Sequence, residues 1–349
     1  EKNRKEIEKQ LISESIDWNA IVKVSTEHYV LPALYCNLQR TNLLKHIPKD
    51  LVSYMKQITS LNRERNLKII LQVKELNKLL LMNNIKPIFL KGSANLIAGI
   101  YVDIAERMVG DIDFIFSKED YPKAIAILKD NGYSEVKKYD YYLPHERHYE
   151  RLRKDKCIAA VEIHYEILGA KKYRKEFDFN FAEKNYQLIN GVRVLSYANK
   201  LNLSIISNYI NDSGYIYKII VLRNAYDVFV LSTKTNAKTA INNLEKLHHL
   251  LNYFLATCYE VFNRTTSLEH NINKHTDEYL INFKKQFTNM KATRRKHKWI
   301  KVYLFLKIRL NIIYNSIFYK EHRVWLIKRL MDKKWYKEKL VNLNFKKFT

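Results

Sequence analysis

Lys86-Pro87-Ile88-Phe89-Leu90-Lys91-Gly92-Ser93 and, further along the chain, Asp111-Ile112-Asp113-Phe114-Ile115-Phe116 are the stretches that decide the fold. The first is a short apolar run bounded by a proline and a glycine, long enough for one buried strand and too short for a helix. It passes directly into Gly92-Ser93 and then into residues 94–99, which read as a helix. A strand-to-helix junction exposes unpaired N–H groups and a partial positive charge, which suits a phosphate, and a glycine there lets the backbone approach a ligand closely. Such junctions are also ordinary features of proteins that bind nothing, so the motif needs company. The second stretch alternates like a strand and places Asp111 and Asp113 on one face.

Two carboxylates side by side in an otherwise apolar strand repel each other, unless both stand in water at a strand end. A hard divalent cation resolves the repulsion, because Mg²⁺ takes oxygen ligands together with substrate phosphates. A third acid, Glu162, lies in another apolar run, Ala159-Ala160-Val161-Glu162-Ile163-His164-Tyr165. A lone acid there commonly occupies the wet face of a sheet. Were its strand to lie beside that of Asp111, three carboxylates would converge, enough for two metals about 3.5–4 Å apart.

Helical patterns surround this core. Residues 16–38 carry apolar positions at helical spacing, and Ile47-Pro48-Lys49-Asp50-Leu51 reads as a helix start with proline in the first turn. A long helix is expected over 62–82, from Leu67, Ile70, Leu71, Leu76, Leu79 and Leu80, ending at Asn83-Asn84. Residues 121–131 read as a helix closed by Gly132. Two or three strands are expected over 133–167, and helices beyond about 195. The expected class is α+β: a small mixed sheet with flanking helices. The divisions are a helical lead-in over 1–82, an α/β core over 83–195 and a helical region over 196–349 that is basic from 291.

The three acids and the Gly-Ser junction together resemble the polymerase-β superfamily of nucleotidyltransferases. That superfamily is known by a strand-end Gly-Ser or Gly-Gly, a later Asp-x-Asp between apolar residues and a third acid on a further strand. The chain is similar to a narrower group of poorly characterised bacterial nucleotidyltransferases in Leu90-Lys91-Gly92, Tyr101, Arg107 and Glu162-Ile163-His164. The resemblance extends to Asp17-Trp18, residues 28–32, Ile47-Pro48, Arg65-Asn66 and Leu222-Arg223-Asn224-Ala225-Tyr226-Asp227, roughly residues 15–231 in all. The loop between Gly92 and Asp111 departs from the usual pattern, being long and without a second glycine-rich stretch.

The resemblance implies that Asp111 and Asp113 are metal ligands and that Glu162 is a third ligand or the base for the acceptor proton. It implies that Gly92 and Ser93 hold the β- and γ-phosphates. Lys91 and Arg107 would offset triphosphate charge; read as structural residues, Lys91 is a solvated strand end and Arg107 a partner of Asp103 or Glu106. His164 shares the face of Glu162, either orienting a carboxylate or serving structure alone. His145, Glu146 and His148 cluster after Pro144 but lack the i, i+4 spacing of helical metal ligands. Arg223 and Asp227, at i, i+4, are expected to pair along a helix face.

With 349 residues and 47% hydrophobic side chains, the chain can bury a large core. Its 7 Gly and 5 Pro favour long helices. Cys36, Cys157 and Cys258 are odd in number and far apart, which indicates neither a disulfide framework nor a zinc knuckle and fits a reducing compartment. The charged opening residues read as no signal peptide, and no uncharged apolar run reaches the roughly 20 residues of a membrane span.

Net charge is +25, in a chain rich in Lys, Asn, Ile and Tyr together, so part of it reflects overall composition. It is unevenly spread: residues 291–349 hold 18 Lys and Arg against three acids. Such a region fits nucleic acid, an anionic membrane surface, or a helical bundle with a solvated basic face. The expected activity is Mg²⁺-dependent (Mn²⁺ as an alternative) transfer of an NMP group from an NTP to a hydroxyl or phosphate acceptor, a small molecule or glycan precursor, with release of pyrophosphate. Rival expectations are a tRNA or protein acceptor, or an inactive relative acting as a basic binding module. The expected location is cytoplasmic, with peripheral membrane contact through the basic region as a variant.

Overall fold

The computed structural model describes residues 2–13, 16–136 and 147–333. The chain forms two compact units, one comprising residues up to 136 together with 147–284, and a second that includes residues 285–333. The first unit holds a seven-stranded mixed sheet: β1 (Ile88–Leu90), β2 (Asp111–Ile115), β3 (Ser134–Glu135), β4 (Leu152–Arg153), β5 (Ala160–His164), β6 (Tyr186–Ile189) and β7 (Val192–Leu195). Their order is β3-β4-β5-β2-β1-β7-β6. β2 runs antiparallel to β1 and parallel to β5, while β1 runs parallel to β7. All three residues of β1 are buried, as expected of a strand covered on both faces, and Phe89 packs on Phe114 with ring centroids 5.4 Å apart.

The β6–β7 hairpin goes beyond the strands expected over 133–167. Its signal is the Asn190-Gly191 pair, where both residues take positive φ, 49° and 78°. That geometry matches the twist of flanking strands, and Asn-Gly adopts it at low cost.

The long helix spans Lys49–Met82, starting well before residue 62. Its buried face also corrects the apolar pattern read from sequence. Leu67 and Leu71 are exposed, while Asn62, Asn66, Gln72 and Asn77 share the buried stripe with Ile69, Val73, Leu76 and Leu80. Buried amides require partners, and these find backbone. The side chain of Gln72 donates to Ala159 O (2.9 Å) and accepts from Ala159 N (3.1 Å), clamping the approach to β5. The amides of Asn62 and Asn66 capture carbonyls at Ile104, Ala105 and Arg107. Arg65 donates to Val109 O and Gly110 O. The glycine-poor loop before Asp111 is thus held by helix side chains as well as by its own turn at Asp103–Glu106. In the lead-in, the apolar stretch 16–38 divides into helices Trp18–Glu27 and Leu31–Arg40, broken at Tyr29, whose φ is 58°, and Pro32.

Lys200 is a buried lysine in the helix Tyr197–Ile205, its ammonium donating to Leu195 O. Burial lowers its pKa to about 7. Between about 7 and the ordinary 10.5 the unfolded chain therefore binds more protons, so this group makes stability rise with pH across that window and flat above it. Lys200→Met is expected to raise Tm at neutral pH and to flatten the rise, which amounts to a few kcal/mol at most by order of magnitude. Thermal melts of both proteins across the window check this; parallel pH profiles would refute it.

In the second unit the helix Met290–Phe318 is followed by Lys320–Met331. Lys334, Trp335, Tyr336 and Lys337 lie outside the described residues, as do His145 and Glu146.

Candidate active site

β2 and β5 lie side by side in parallel, so the register sets Asp113 opposite Glu162 and Ile115 opposite His164. With period-2 alternation, Ile112, Phe114, Val161 and Ile163 go to one side of the sheet and Asp111, Asp113, Glu162 and His164 to the other. Asp113 and Glu162 are buried, while the Asp111 side chain keeps 26% of its exposure. Among the described residues, Asp113, Glu162 and His164 each offer a ligand atom within 4.8 Å of the others. Asp111 stands beside this group on the same face.

Two cations neutralise the acids. Lys91 Nζ lies 2.5 Å from Asp113 Oδ1 and 3.9 Å from Glu162 Oε2. Arg151 Nη2 lies 3.0 Å from Asp111 Oδ2 and 2.8 Å from Glu162 Oε1. Arg151 was not singled out in the sequence. It precedes β4, whose Leu152 pairs with Val161, and this antiparallel register brings Arg151 beside Glu162; nothing in the local sequence marks that pairing. The carboxylate repulsion expected from Asp111-Ile112-Asp113 is consequently compensated within the chain.

The strand-to-helix junction aims Lys91. Its φ is 53°, in the left-handed region, although it is not glycine. That conformation costs about 1 kcal/mol or more, and it directs the ammonium back over β2 while the helix Lys91–Ile97 begins. Space favours glycine at 92: a Cβ there would stand 3.0 Å from Val109 Cγ2, a tight approach, with Arg107 Cζ in ordinary contact at 3.6 Å. Ser93 is fully buried, and its hydroxyl donates to Leu90 O at 3.2 Å.

The electrostatics follow the geometry. Burial opposes ionisation of Asp113, but Lys91 and His164 outweigh it and hold this carboxyl below the ordinary range. Burial raises Asp111, Arg151 opposes that rise, and the nearby Glu162 and Asp113 add to it. Burial, then Lys91, push His164 below the ordinary imidazole value, against the pull of Asp113. A neutral His164 meets Asp113 Oδ1 through Nε2 at 2.8 Å, and its buried Nδ1 has no partner among the described residues. His148, the described member of the His145/His148 pair, places its ring 5.7 Å from that of His164.

Arg107 has a different partner from those expected. Asp103 binds Arg63 and Glu106 binds Arg40 and Tyr226. The buried Arg107 guanidinium instead binds Asp227, at 2.9 Å and 3.0 Å, and Met108 O. Tyr101 adds its hydroxyl to Asp227 at 2.6 Å. Asp227 is accordingly committed to Arg107, and Arg223 lies over the Tyr29 ring at 5.1 Å, where burial lowers its pKa. Arg107, Tyr101 and Asp227 form a buried brace beneath the Gly92 turn.

The donor set, the Asp113 and Glu162 carboxylates with the His164 imidazole, fits a divalent ion. Two carboxylates converge with a third at hand, and the point between Asp113 and Glu162 already draws the chain's own ammonium.

A family model described as an uncharacterised nucleotidyltransferase matches residues 14–263. No curated protein matches the chain. Among solved structures, the chain is similar to the solution structure of the antibiotic-resistance factor ANT(2'')-Ia, with 14% identity and a TM-score of 0.35, over 56% of this chain and 97% of that one.

Proposed function

The chain belongs to the uncharacterised nucleotidyltransferase family, and from that premise we propose that it transfers an NMP group from an NTP to a hydroxyl or phosphate of a small molecule or glycan precursor, with Mg²⁺ as its metal. In the step, an acceptor oxygen forms a bond to the α-phosphorus, the α–β phosphoanhydride bond breaks, pyrophosphate leaves with the electron pair, and the acceptor proton passes to a base. The observation that carries this reading is the side-by-side placement of Asp113 and Glu162, with Lys91 drawn between them.

Asp113 and Glu162, with Asp111 and His164 adjoining, would hold the metal. When bound, it supplies charge neutralisation for the triphosphate and a lowered pKa for the acceptor hydroxyl. Glu162 is placed to take the acceptor proton if it is not fully engaged as a ligand. Lys91 leaves Asp113 for the triphosphate when that charge arrives, and the backbone N–H groups at Gly92 and Ser93 face the β- and γ-phosphates. Arg107 serves from below, holding the Gly92 turn against Val109 through its bond to Asp227.

The test is incubation of the full chain with each of the four NTPs, labelled at the α- or the γ-phosphate, with Mg²⁺ or Mn²⁺ and a host-cell extract. The expected result is an α-labelled product with release of pyrophosphate, abolished by EDTA. Products labelled only from the γ-position, or NTP binding by calorimetry that ignores divalent metal, would overturn the proposal. Label entering RNA or protein would move the acceptor to a macromolecule.

A further inference from the structure

The helix Met290–Phe318 contains eight Lys and Arg and no acidic residue. Along it, Trp299, Tyr303, Leu306, Leu310, Ile313 and Ile317 recur at alternating steps of four and three. That spacing aligns them in one stripe, about 27 Å long at helical rise. All six are exposed, from 49% for Ile313 to 75% for Trp299. The buried side chains among this helix's described residues, Ile312 and Ser316, lie away from the stripe, and Arg323 of the following helix donates to Ser316 O and Ile317 O. Arg295, Lys296 and Lys307 border the stripe at helical spacing.

An exposed apolar stripe of this length marks a contact surface. Its composition selects the partner. An RNA groove uses aromatics and cations, but Leu306, Leu310, Ile313 and Ile317 offer nothing to a phosphate or a base edge. A second copy of the helix would bring two acid-free basic helices together and dry the Trp299 indole N–H and the Tyr303 hydroxyl without a partner. An anionic bilayer surface meets all three demands: acyl chains for the aliphatics, headgroup depth for Trp and Tyr, and negative charge for the bordering cations. No helix among the described residues is long and apolar enough to cross a membrane, so this one would lie along the surface.

We propose that the Met290–Phe318 helix docks the protein on an anionic phospholipid surface, with the Trp299–Ile317 stripe facing the acyl chains and Arg295, Lys296 and Lys307 at the headgroups. The test is co-sedimentation of the full chain with phosphatidylcholine vesicles, with and without phosphatidylglycerol, at low and high salt. Binding is expected only with phosphatidylglycerol, weakened by salt, and reduced at least about tenfold in Leu310→Glu/Ile317→Glu. Lys296→Gln/Lys307→Gln should lose several-fold in affinity. Trp299 fluorescence should shift to the blue and be quenched by brominated lipid, a change missing from Trp299→Phe.

Unchanged vesicle binding in Leu310→Glu/Ile317→Glu would overturn the proposal. So would RNA binding lost in the lysine variant but kept in the glutamate variant, without vesicle binding. A concentration-dependent dimer abolished by Leu310→Glu/Ile317→Glu, again without vesicle binding, would assign the stripe to self-association. Vesicle binding is read without nucleotide, so it stands or falls apart from the transferase assay.

Discussion

Asp113→Asn is expected to lower NMP transfer by about 10³-fold or more, the scale set by losing a charge that positions a metal and a triphosphate. Asparagine keeps the shape and one acceptor oxygen but cannot carry the negative charge that Lys91 and His164 stabilise. Sequence alone suggests that such a variant keeps or gains stability, because paired acids repel. The structure reverses that expectation. Asp113 already has Lys91 at 2.5 Å and His164 at 2.8 Å, and the amide would leave a half-buried ammonium with Glu162 at 3.9 Å as its remaining acid. Stability should fall by about 1.5–3 kcal/mol, the range for hydrogen bonds to charged groups. The assay is single-turnover transfer of an α-labelled NTP, paired with a thermal melt. A transfer rate equal to that of the unaltered protein would remove Asp113 from the chemistry and with it the metal site.

Arg107→Met should destabilise the fold by about 3–5 kcal/mol, the cost of leaving one member of a buried ion pair without its partner. Asp227 is 2% exposed and, among the described residues, would retain the Tyr101 hydroxyl as its hydrogen-bond partner. Arg107→Met/Asp227→Leu removes both charges and is expected to recover most of that loss, since a buried pair exchanged for apolar side chains is often near neutral. The same two variants separate bracing from direct phosphate contact. If Arg107 only braces the Gly92 turn, the double variant regains NTP affinity along with stability. If its guanidinium met the triphosphate, the double variant would fold well and still bind NTP poorly. Denaturant titration and calorimetry with NTP decide between these outcomes.

Much of the candidate site is legible in the sequence, for a local reason. Strand periodicity alone sends Asp111 and Asp113 to one face and Glu162 and His164 to one face, whatever the strands pair with. A short apolar run that breaks at Gly92 marks the junction without tertiary information. The apolar pattern failed where polar side chains do core work. In the helix Lys49–Met82, Asn62, Asn66 and Gln72 are buried because they bind backbone carbonyls of the 104–107 segment and Ala159. Leu67 and Leu71, counted as inward, are exposed. Hydropathy records transfer to an apolar phase and is blind to a hydrogen-bond partner about forty or ninety residues away.

The sequence by itself determined the α+β class, the family, the faces on which the acids lie and the lopsided positive charge, because each depends on neighbours along the chain. Tertiary structure alone decided that β2 and β5 are adjacent, that Lys91 and Arg151 are the counter-ions of the acids, and that Arg107 answers to Asp227 across 120 positions of sequence. The physical reason is range. Backbone alternation acts between successive residues, whereas an ion pair is chosen by whichever charges the completed fold brings within about 4 Å of each other in a medium too poor in water to screen them.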